Sequence, residues 1–455
     1  MKQLLLCVTL FFTIQFNAQC WQLVSTGGDH FVAVKTDGTL WVWGSNEFGQ
    51  LGNGTSVSST VPVQVNGDTD WVYAEAGEGH TIAIKANGTL WAWGLNETGQ
   101  VGIASTMSTV PLPVQVGSDS DWNTVSCRGY TTMAVKNDGT LWGWGNNSSG
   151  QLGDNTFINR TAPVQIGTAT NWKSVSSSFY HSAAVKTNGT LWTWGDNASG
   201  QLGNMMFNTP FYVPTQMGIE TDWNLTAAGT ENTVAIKNDG TLWAWGWNAD
   251  GQLGNGNTTS LAVATPIGTG TNWQTVSSGL WVMLAIQEDG SLWGAGNNLN
   301  GQLGNGSQVS VVGLNMITTD ANWASVSSNG YMTSAIKTDG TLWTWGYNEG
   351  RILGNGSENN LVLAPTEVAC PVASIKAIQS NTVTVYPNPA KDIITITDTF
   401  GLPAIDMVVT DVFGKIVMQQ QAVSGSINVQ TLSAGMYLLK INIGTEQYVI
   451  KIIKQ

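Results

Sequence analysis

The string Asp37-Gly38-Thr39-Leu40-Trp41-Val42-Trp43-Gly44 recurs along the chain with small changes. Its first glycine returns as Gly88, Gly139, Gly189, Gly240, Gly290 and Gly340, at intervals of 50 or 51 residues, so there are seven copies. A unit of this size cannot bury its own apolar face; it must stack on its neighbours, so the period dictates a repeat architecture. Each copy also carries Gly-Gln-Leu-Gly, first as Gly49 to Gly52, with Val101 in place of leucine once. The seventh departs, reading Gly350-Arg351-Ile352-Leu353-Gly354 with one inserted residue.

Each unit reads as a four-stranded meander, here called strands a to d. In the second copy, strand a starts at Trp71 and strand b is the apolar alternation His80 to Ile84. Asn87-Gly88 follows, a pair that tolerates the positive φ of a tight hairpin turn. Strand c is Thr89 to Trp93, and strand d is Pro113 to Val116, with proline fitting an edge position. Four short strands per repeat, seven times over, predict an all-β, seven-bladed β-propeller of four-stranded blades.

Twenty of the 22 tryptophans fall at three repeat positions: the start of strand a and two places in strand c, where Ala295 replaces the third indole once. Burying such a ring is worth about 4–6 kcal/mol before entropy costs. These rings therefore read as blade-to-blade packing. Gly79-His80-Thr81, Asn87 to Gly94 and Gly99-Gln100-Val101-Gly102 resemble the repeat of the regulator of chromosome condensation family. The resemblance covers nearly all of residues 21–370 and itself implies a seven-bladed propeller.

Residues 1–19 read as a signal peptide, with Lys2, an apolar run from Leu4 to Phe12 and a small-polar Asn17-Ala18-Gln19 region. A lipoprotein signal acylated at Cys20 is disfavoured by Gln19. No later stretch is apolar enough to span a bilayer, so the mature protein is expected to lack a transmembrane segment. Residues 20–370 form the propeller segment. Aligned on the repeat, Cys370 takes the position of Gly67 and Cys20 that of Asp70, which in a closed ring lie within disulfide reach. Export to an oxidising compartment permits a Cys20–Cys370 clasp; Cys7 leaves with the signal, and Cys127 stays a free, partly buried thiol.

Composition shifts near residue 371, and a linker over 371–383 leads to a module at 384–455. Its marks are Tyr386-Pro387-Asn388-Pro389, then Asp411 with Gly414-Lys415, then Gly435 with Tyr437, on alternating strands that predict a small antiparallel β-sandwich. These motifs resemble the type A sorting domain of the type IX secretion system of Bacteroidota. The resemblance implies contact with that secretion machinery, passage through the periplasm and outer membrane, and a cell-surface or secreted destination.

Residues 20–370 hold 25 acidic and 10 basic side chains, a balance that repels phosphate backbones, so no nucleic-acid partner is expected. His30, His80 and His181 occupy equivalent positions in separate repeats and do not cluster as metal ligands would. Acidic turns such as Asp119 and Asp121 read as solvated, with calcium the lesser reading. No nucleophile elbow or phosphate loop appears. We expect no cofactor, no metal, no catalytic residues and a monomer.

Variation between repeats is concentrated in the a–b loops and the starts of the c–d loops, which share one end of each blade. There stand Tyr130, Phe179, Tyr180, Trp281 and Tyr331 on the a–b loops, and Trp247 and Tyr347 on the c–d loops. Asp29, Glu78, Arg128 and Glu231 lie among them. Aromatics on variable loops predict a recognition surface for a protein or glycan; the competing reading folds some of them inward to cap the central channel. The expected function is binding. The alternatives are a polysaccharide-active enzyme with carboxylates in the channel, or an inhibitor of a secreted enzyme.

Overall fold

The computed structural model describes residues 20–371, 383–386, 388–398, 405–410, 415–422, 426–443 and 446–455. The signal-peptide reading and linker positions 372–382 lie outside the described residues. The chain divides into two compact units between Cys370 and Pro371.

The first unit is seven four-stranded antiparallel sheets, each built from consecutive strands. Blade 1 comprises Trp21–Thr26, His30–Lys35, Leu40–Gly44 and Ser59–Gln64. The corresponding first strands of blades 2 to 7 are Trp71–Ala76, Trp122–Arg128, Trp172–Ser177, Trp223–Ala228, Trp273–Ser278 and Trp323–Ser328. Strand d is longer than its sequence pattern suggested: in blade 2 it runs Thr109–Gln115, with Pro111 and Pro113 inside it. It is the outer edge of the sheet, so the missing proline N–H groups cost no ladder bond. The extra residue of the seventh repeat is absorbed in a 3-10 turn, Glu349–Arg351, where Gly350 and Arg351 take φ of 76° and 59°.

Alternation in strands a to c places one apolar face against each neighbouring blade. The strand-a indoles are buried, as are the second indoles of strand c, and the strand-a ring meets the first strand-c ring edge-on, as in Trp71–Trp91 at 6.2 Å. Each apolar cluster spans a seam; Val32, Leu40 and Leu51 of blade 1 pack with Trp71, Ala83 and Trp93 of blade 2.

No blade borrows a strand to close the ring. Closure is made by side-chain packing, a few hydrogen bonds from side chains and backbone, and one covalent bond. The indole N–H of Trp43 donates to the Leu353 carbonyl (3.2 Å), and the Trp21 N–H donates to Gly340 (3.1 Å). Phe31, Trp21 and Trp43 share a core with Leu342, Trp345 and Leu353. Cys20 and Cys370 are disulfide-bonded, with Cα atoms 6.1 Å apart, and Cys127 is a buried free thiol.

The second unit is a small sandwich. A three-stranded sheet (Val383–Tyr386, Ile393–Asp398, Ser426–Asn428) faces a four-stranded one (Ile416–Ala422, Ile405–Thr410, Gly435–Ile443, Glu446–Lys454). Its core includes Ile394, Met407, Val409, Leu439 and Ile452. Asn388 accepts the Ile453 N–H (2.9 Å), Lys415 precedes a strand, Gly435 opens another, and Tyr437 donates to Ser433 O (3.0 Å). Pro387, Asp411 and Gly414 lie outside the described residues.

Candidate functional site

The seven strands a stand side by side around the axis and wall a central chamber of about 220 Å³. The fifth residue of these strands is Ser25, Glu75, Ser126, Ser176, Ala227, Ser277 and Ser327. Its side-chain oxygen accepts a backbone N–H from the next blade at six of seven seams. Ser25 takes Ala76 N–H (3.1 Å), Ser126 takes Ser177 (3.0 Å), Ser176 takes Ala228 (2.9 Å), and Ser277 takes Ser328 (3.0 Å). Ser327 closes the ring on Thr26 (3.0 Å). Glu75 does the same for Cys127 (3.0 Å), while Ala227 has no oxygen to offer.

Glu75 also accepts from the Tyr73 hydroxyl (2.7 Å). Burial raises its pKa, against the hydrogen bonds from Tyr73 and Cys127 and the nearby Arg128 charge. Arg128 follows strand a's sixth residue, where other blades hold Gly27, Gly77, Ser178, Gly229, Gly279 and Asn329. Only these small residues leave room for one long side chain to cross the axis. Its Nη1 donates to the carbonyls of Ala228 and Ser278, and its Nη2 to that of Ser328 (2.5 Å). One guanidinium thus links blade 3 to blades 5, 6 and 7 and separates the chamber from an outer mouth.

That mouth is a cavity of about 110 Å³ whose walls include Asp29, Glu78, Phe179, Leu280 and Tyr331, with Arg128 at its floor. The a–b and c–d loops emerge together: the first c–d residue donates its N–H to the end of the a–b loop, as in Trp247 to Glu231 (2.9 Å) and Tyr347 to Tyr331 (3.0 Å). The seven aromatics named from sequence divide into groups. Tyr130, Phe179 and Tyr180 form one cluster (6.2 and 6.1 Å between ring centres), and Trp281 stacks edge-on against Tyr331 at 5.2 Å. Phe179 and Tyr331 line the mouth, while Tyr130, Tyr180, Trp247 and Tyr331 are 36–41% exposed. Tyr347 is half-buried and donates to Glu349, which pushes its pKa up to about 12.

Carboxylates dominate this end. Besides Asp29, Glu78 and Glu231, the c–d loops carry Glu47, Glu97, Asp196, Asp250 and Glu349 within their first four residues. Enclosure raises the pKa of Asp29, helped by Glu47, and that of Glu78, helped by Asp29.

The opposite end of the blades carries groups that the sequence alone did not single out. At the end of strand b, six blades place a lysine beside the indoles. Lys136 Nζ lies 4.8 and 4.7 Å from the ring centres of Trp122 and Trp142, and 2.6 Å from Asp119. Lys186 lies 4.4 and 3.9 Å from Trp172 and Trp192, and burial lowers its pKa. Asp119 and Asp121 thus serve this lysine, which explains the acidic turns as ion-pair partners. The signal was a lysine recurring three residues before the turn glycine.

The histidines are seam links. Thr81 donates its hydroxyl proton to Gln50 O (2.8 Å) and so accepts from His30 Nε2 (2.9 Å). His80–Thr132 (3.1 Å) and His181–Thr233 (2.8 Å) repeat the arrangement, and burial pushes all three imidazoles down to about 3. Among the described residues, no group of three or more His, Cys, Asp or Glu could hold a metal ion, and no helix is long and apolar enough to cross a membrane.

Comparison with known proteins places this geometry. The RCC1-like domain model matches residues 12–268 and 113–385, and a secretion system C-terminal sorting domain model matches residues 384–455. The Ultraviolet-B receptor UVR8 of Arabidopsis thaliana is 30% identical over 245 residues, 53% of this chain and 44% of UVR8, so the chain spans less than half of that relative's length. Yeast RCC1 (Prp20), solved bound to Kap60, superposes with a TM-score of 0.66 at 16% identity, covering 81% of this chain and 88% of Prp20. Human WBSCR16 gives 0.62 at 20% identity, covering 68% and 84%. The sorting domain directs export by the type IX secretion system through the periplasm to the outer membrane and cell surface. The chain belongs to the RCC1-like domain family, as a propeller joined to a secretion sorting domain.

Proposed function

We propose that the exported propeller is a binding protein that engages another protein through its a–b and c–d loop face. The observation that carries this is the exposure of Tyr130, Tyr180, Trp247 and Tyr331 on the loop face, in a scaffold that leaves none of its repeated tryptophans exposed. Large, rigid rings at an accessible surface are the residues that dominate protein–protein hot spots. Inhibition of a partner enzyme is one form such binding takes.

The channel offers little to hydrolysis. Glycosidases of the common kinds need two carboxyl groups flanking the scissile bond, and among the described chamber-lining residues Glu75 is the sole carboxylate. It is held by Tyr73 and Cys127, behind Arg128. The test is affinity purification from native culture with the mature chain, followed by affinity measurements on the retained species and a parallel glycan array. Trp247→Ala, Tyr180→Ala and Tyr331→Ala should each weaken binding at least tenfold at unchanged melting temperature. Unchanged affinity in all three, or retention of polysaccharide alone, overturns the reading.

A further inference from the structure

We infer that the partner inserts a lysine or arginine side chain into the channel mouth; this rests on the loop-face reading above. The carboxylates alone describe a solvated rim. What makes the mouth a receptor is their placement in a walled cavity of about 110 Å³, with the rings of Phe179 and Tyr331 and the Leu280 side chain as walls. That is the scale of a few water molecules, so it admits one side-chain head group and excludes a sugar chain or a folded element.

Its polar chemistry selects a cation. Asp29 and Glu78 repel one another, and neither carboxylate has a hydrogen bond or ion pair among the described residues. Arg128 lies beneath them, where it donates to the carbonyls of Ala228, Ser278 and Ser328, and its charge partly offsets that of Glu78. The other arginines at this end are paired, Arg160 with Asp154 (2.6 Å) and Arg351 with Glu358 (3.4 Å). Six of the propeller's lysines sit at the far end of strand b, beside indoles and mostly paired with aspartates, and Lys173, near the start of strand a, donates to Asn224. With two carboxylates against one guanidinium, the mouth keeps an excess of negative charge around an aromatic-walled hole. An entering ammonium or guanidinium pairs with Asp29 and Glu78 and lies against Phe179 and Tyr331, where desolvated cation–ring contacts are favourable. An acidic head group meets repulsion on every side but the floor. The partner is therefore a protein with a protruding basic loop.

The test uses the mature chain and three blocked tripeptides, acetyl-Gly-Arg-Gly-amide and its citrulline and glutamate counterparts, with binding read by saturation-transfer NMR. Citrulline keeps the shape of arginine without its charge. We expect the arginine peptide to bind in the millimolar range, the other two at least tenfold more weakly, and Glu78→Gln or Asp29→Asn to cost at least fivefold at unchanged melting temperature. Carbodiimide coupling of acetyl-Gly-Lys-Gly-amide should label Glu78 and Asp29 before Glu97 and Glu349. Equal binding of the citrulline peptide, or labelling without that preference, overturns the inference. A purified partner whose affinity depends on Trp247 but not on Glu78 defeats the basic anchor and leaves the loop-face reading standing. One that depends on neither defeats both.

Discussion

Replacing Arg128 by alanine tests whether the axial guanidinium holds the ring or merely fills its hole. The substitution strips a donor from the carbonyls of Ala228, Ser278 and Ser328 and leaves the buried Glu75 without its nearest positive charge. Leaving an enclosed carbonyl without its donor costs about 1–3 kcal/mol, so the three together cost about 3–9 kcal/mol. Water can enter the 220 Å³ chamber and satisfy some of the carbonyls, which favours the lower end. For a propeller of about 350 residues the unfolding entropy is about 0.7 kcal/mol/K, so about 3 kcal/mol lowers the melting temperature by about 4 °C. Glu75→Ser removes the carboxylate but keeps a girdle oxygen, as in blades 1, 3, 4, 6 and 7. If Arg128 acts largely by compensating Glu75, the double variant Arg128→Ala/Glu75→Ser recovers about 2 kcal/mol relative to the sum of the single losses. Urea unfolding followed by tryptophan fluorescence and by calorimetry reads all three variants. Additivity of the two losses within about 0.5 kcal/mol refutes the coupling. An unperturbed Arg128→Ala refutes the strut itself.

Three further outcomes follow from the same geometry. The Cys20–Cys370 bond closes a separation of 350 residues, for which chain entropy gives an upper figure of about 5–6 kcal/mol; a urea midpoint unmoved by reduction, or by Cys20→Ser with Cys370→Ser, contradicts a closing role. Ala227→Ser supplies the missing oxygen opposite the Ser278 N–H and should add about 1 kcal/mol, or 1–2 °C by calorimetry; a loss of stability shows that this seam has no room for the bond. His30, His80 and His181 have folded pKa values near 3, well below the ordinary value near 6.5, so their contribution is full above about pH 6.5 and is lost as pH falls toward 3. At pH 5 the loss is about 2 kcal/mol each. The raised carboxyls of Asp29, Glu75 and Glu78 act in the opposite sense, relieving strain as pH falls toward about 4.3. A triple His→Asn variant, using the residue blade 5 already holds as Asn232, should show a flatter stability profile between pH 7 and 5; an unchanged slope assigns acid sensitivity elsewhere.

The fold was legible because a period of 50 or 51 residues with three recurring motifs leaves one architecture. The indoles were legible as scaffold for the same reason: a ring repeated in register packs in register. Legibility ended where a function depends on a residue that breaks the register. Glu75 and Arg128 are visible in the sequence as odd members of otherwise small columns. Nothing in the chain order says that the two columns meet on the axis, or that Arg128 reaches residues 100, 150 and 200 positions away. The loop aromatics were legible as a set but not as partners, because the Trp281–Tyr331 and Tyr130–Phe179 contacts join different blades. The lysines recur too, but cation–ring contact is a matter of angle and distance that spacing alone does not supply.

The seams show why such a ring can spare its loop face for recognition. Most seams combine a girdle oxygen on the axis, a threonine or serine hydroxyl and an indole N–H on the preceding glutamine carbonyl, as in Thr81 and Trp93 on Gln50. Between blades 5 and 6 these links fall away together. Ala227, Met283 and Ala295 stand where serine, threonine and tryptophan stand elsewhere, and Asn232 bonds to Ser278 Oγ (3.0 Å) in place of a histidine–threonine contact. Met283 takes the place of the missing indole. A Cβ on Gly254 lies 3.0 Å from its Cε, as a Cβ on Gly52 lies 2.7 Å from Trp93 Nε1. Met283 and Ala285 join Val234, Ile236 and Leu253 in one apolar cluster. Apolar packing is non-directional and holds the seam without fixing its geometry. The other seams and the clasp fix that geometry from both sides, so one seam with fewer side-chain hydrogen bonds is tolerated. Stability is therefore carried by inner strands and seam carbonyls, not by the loops, whose exposed rings and unpaired carboxylates contribute little to the ring and are free to serve a partner.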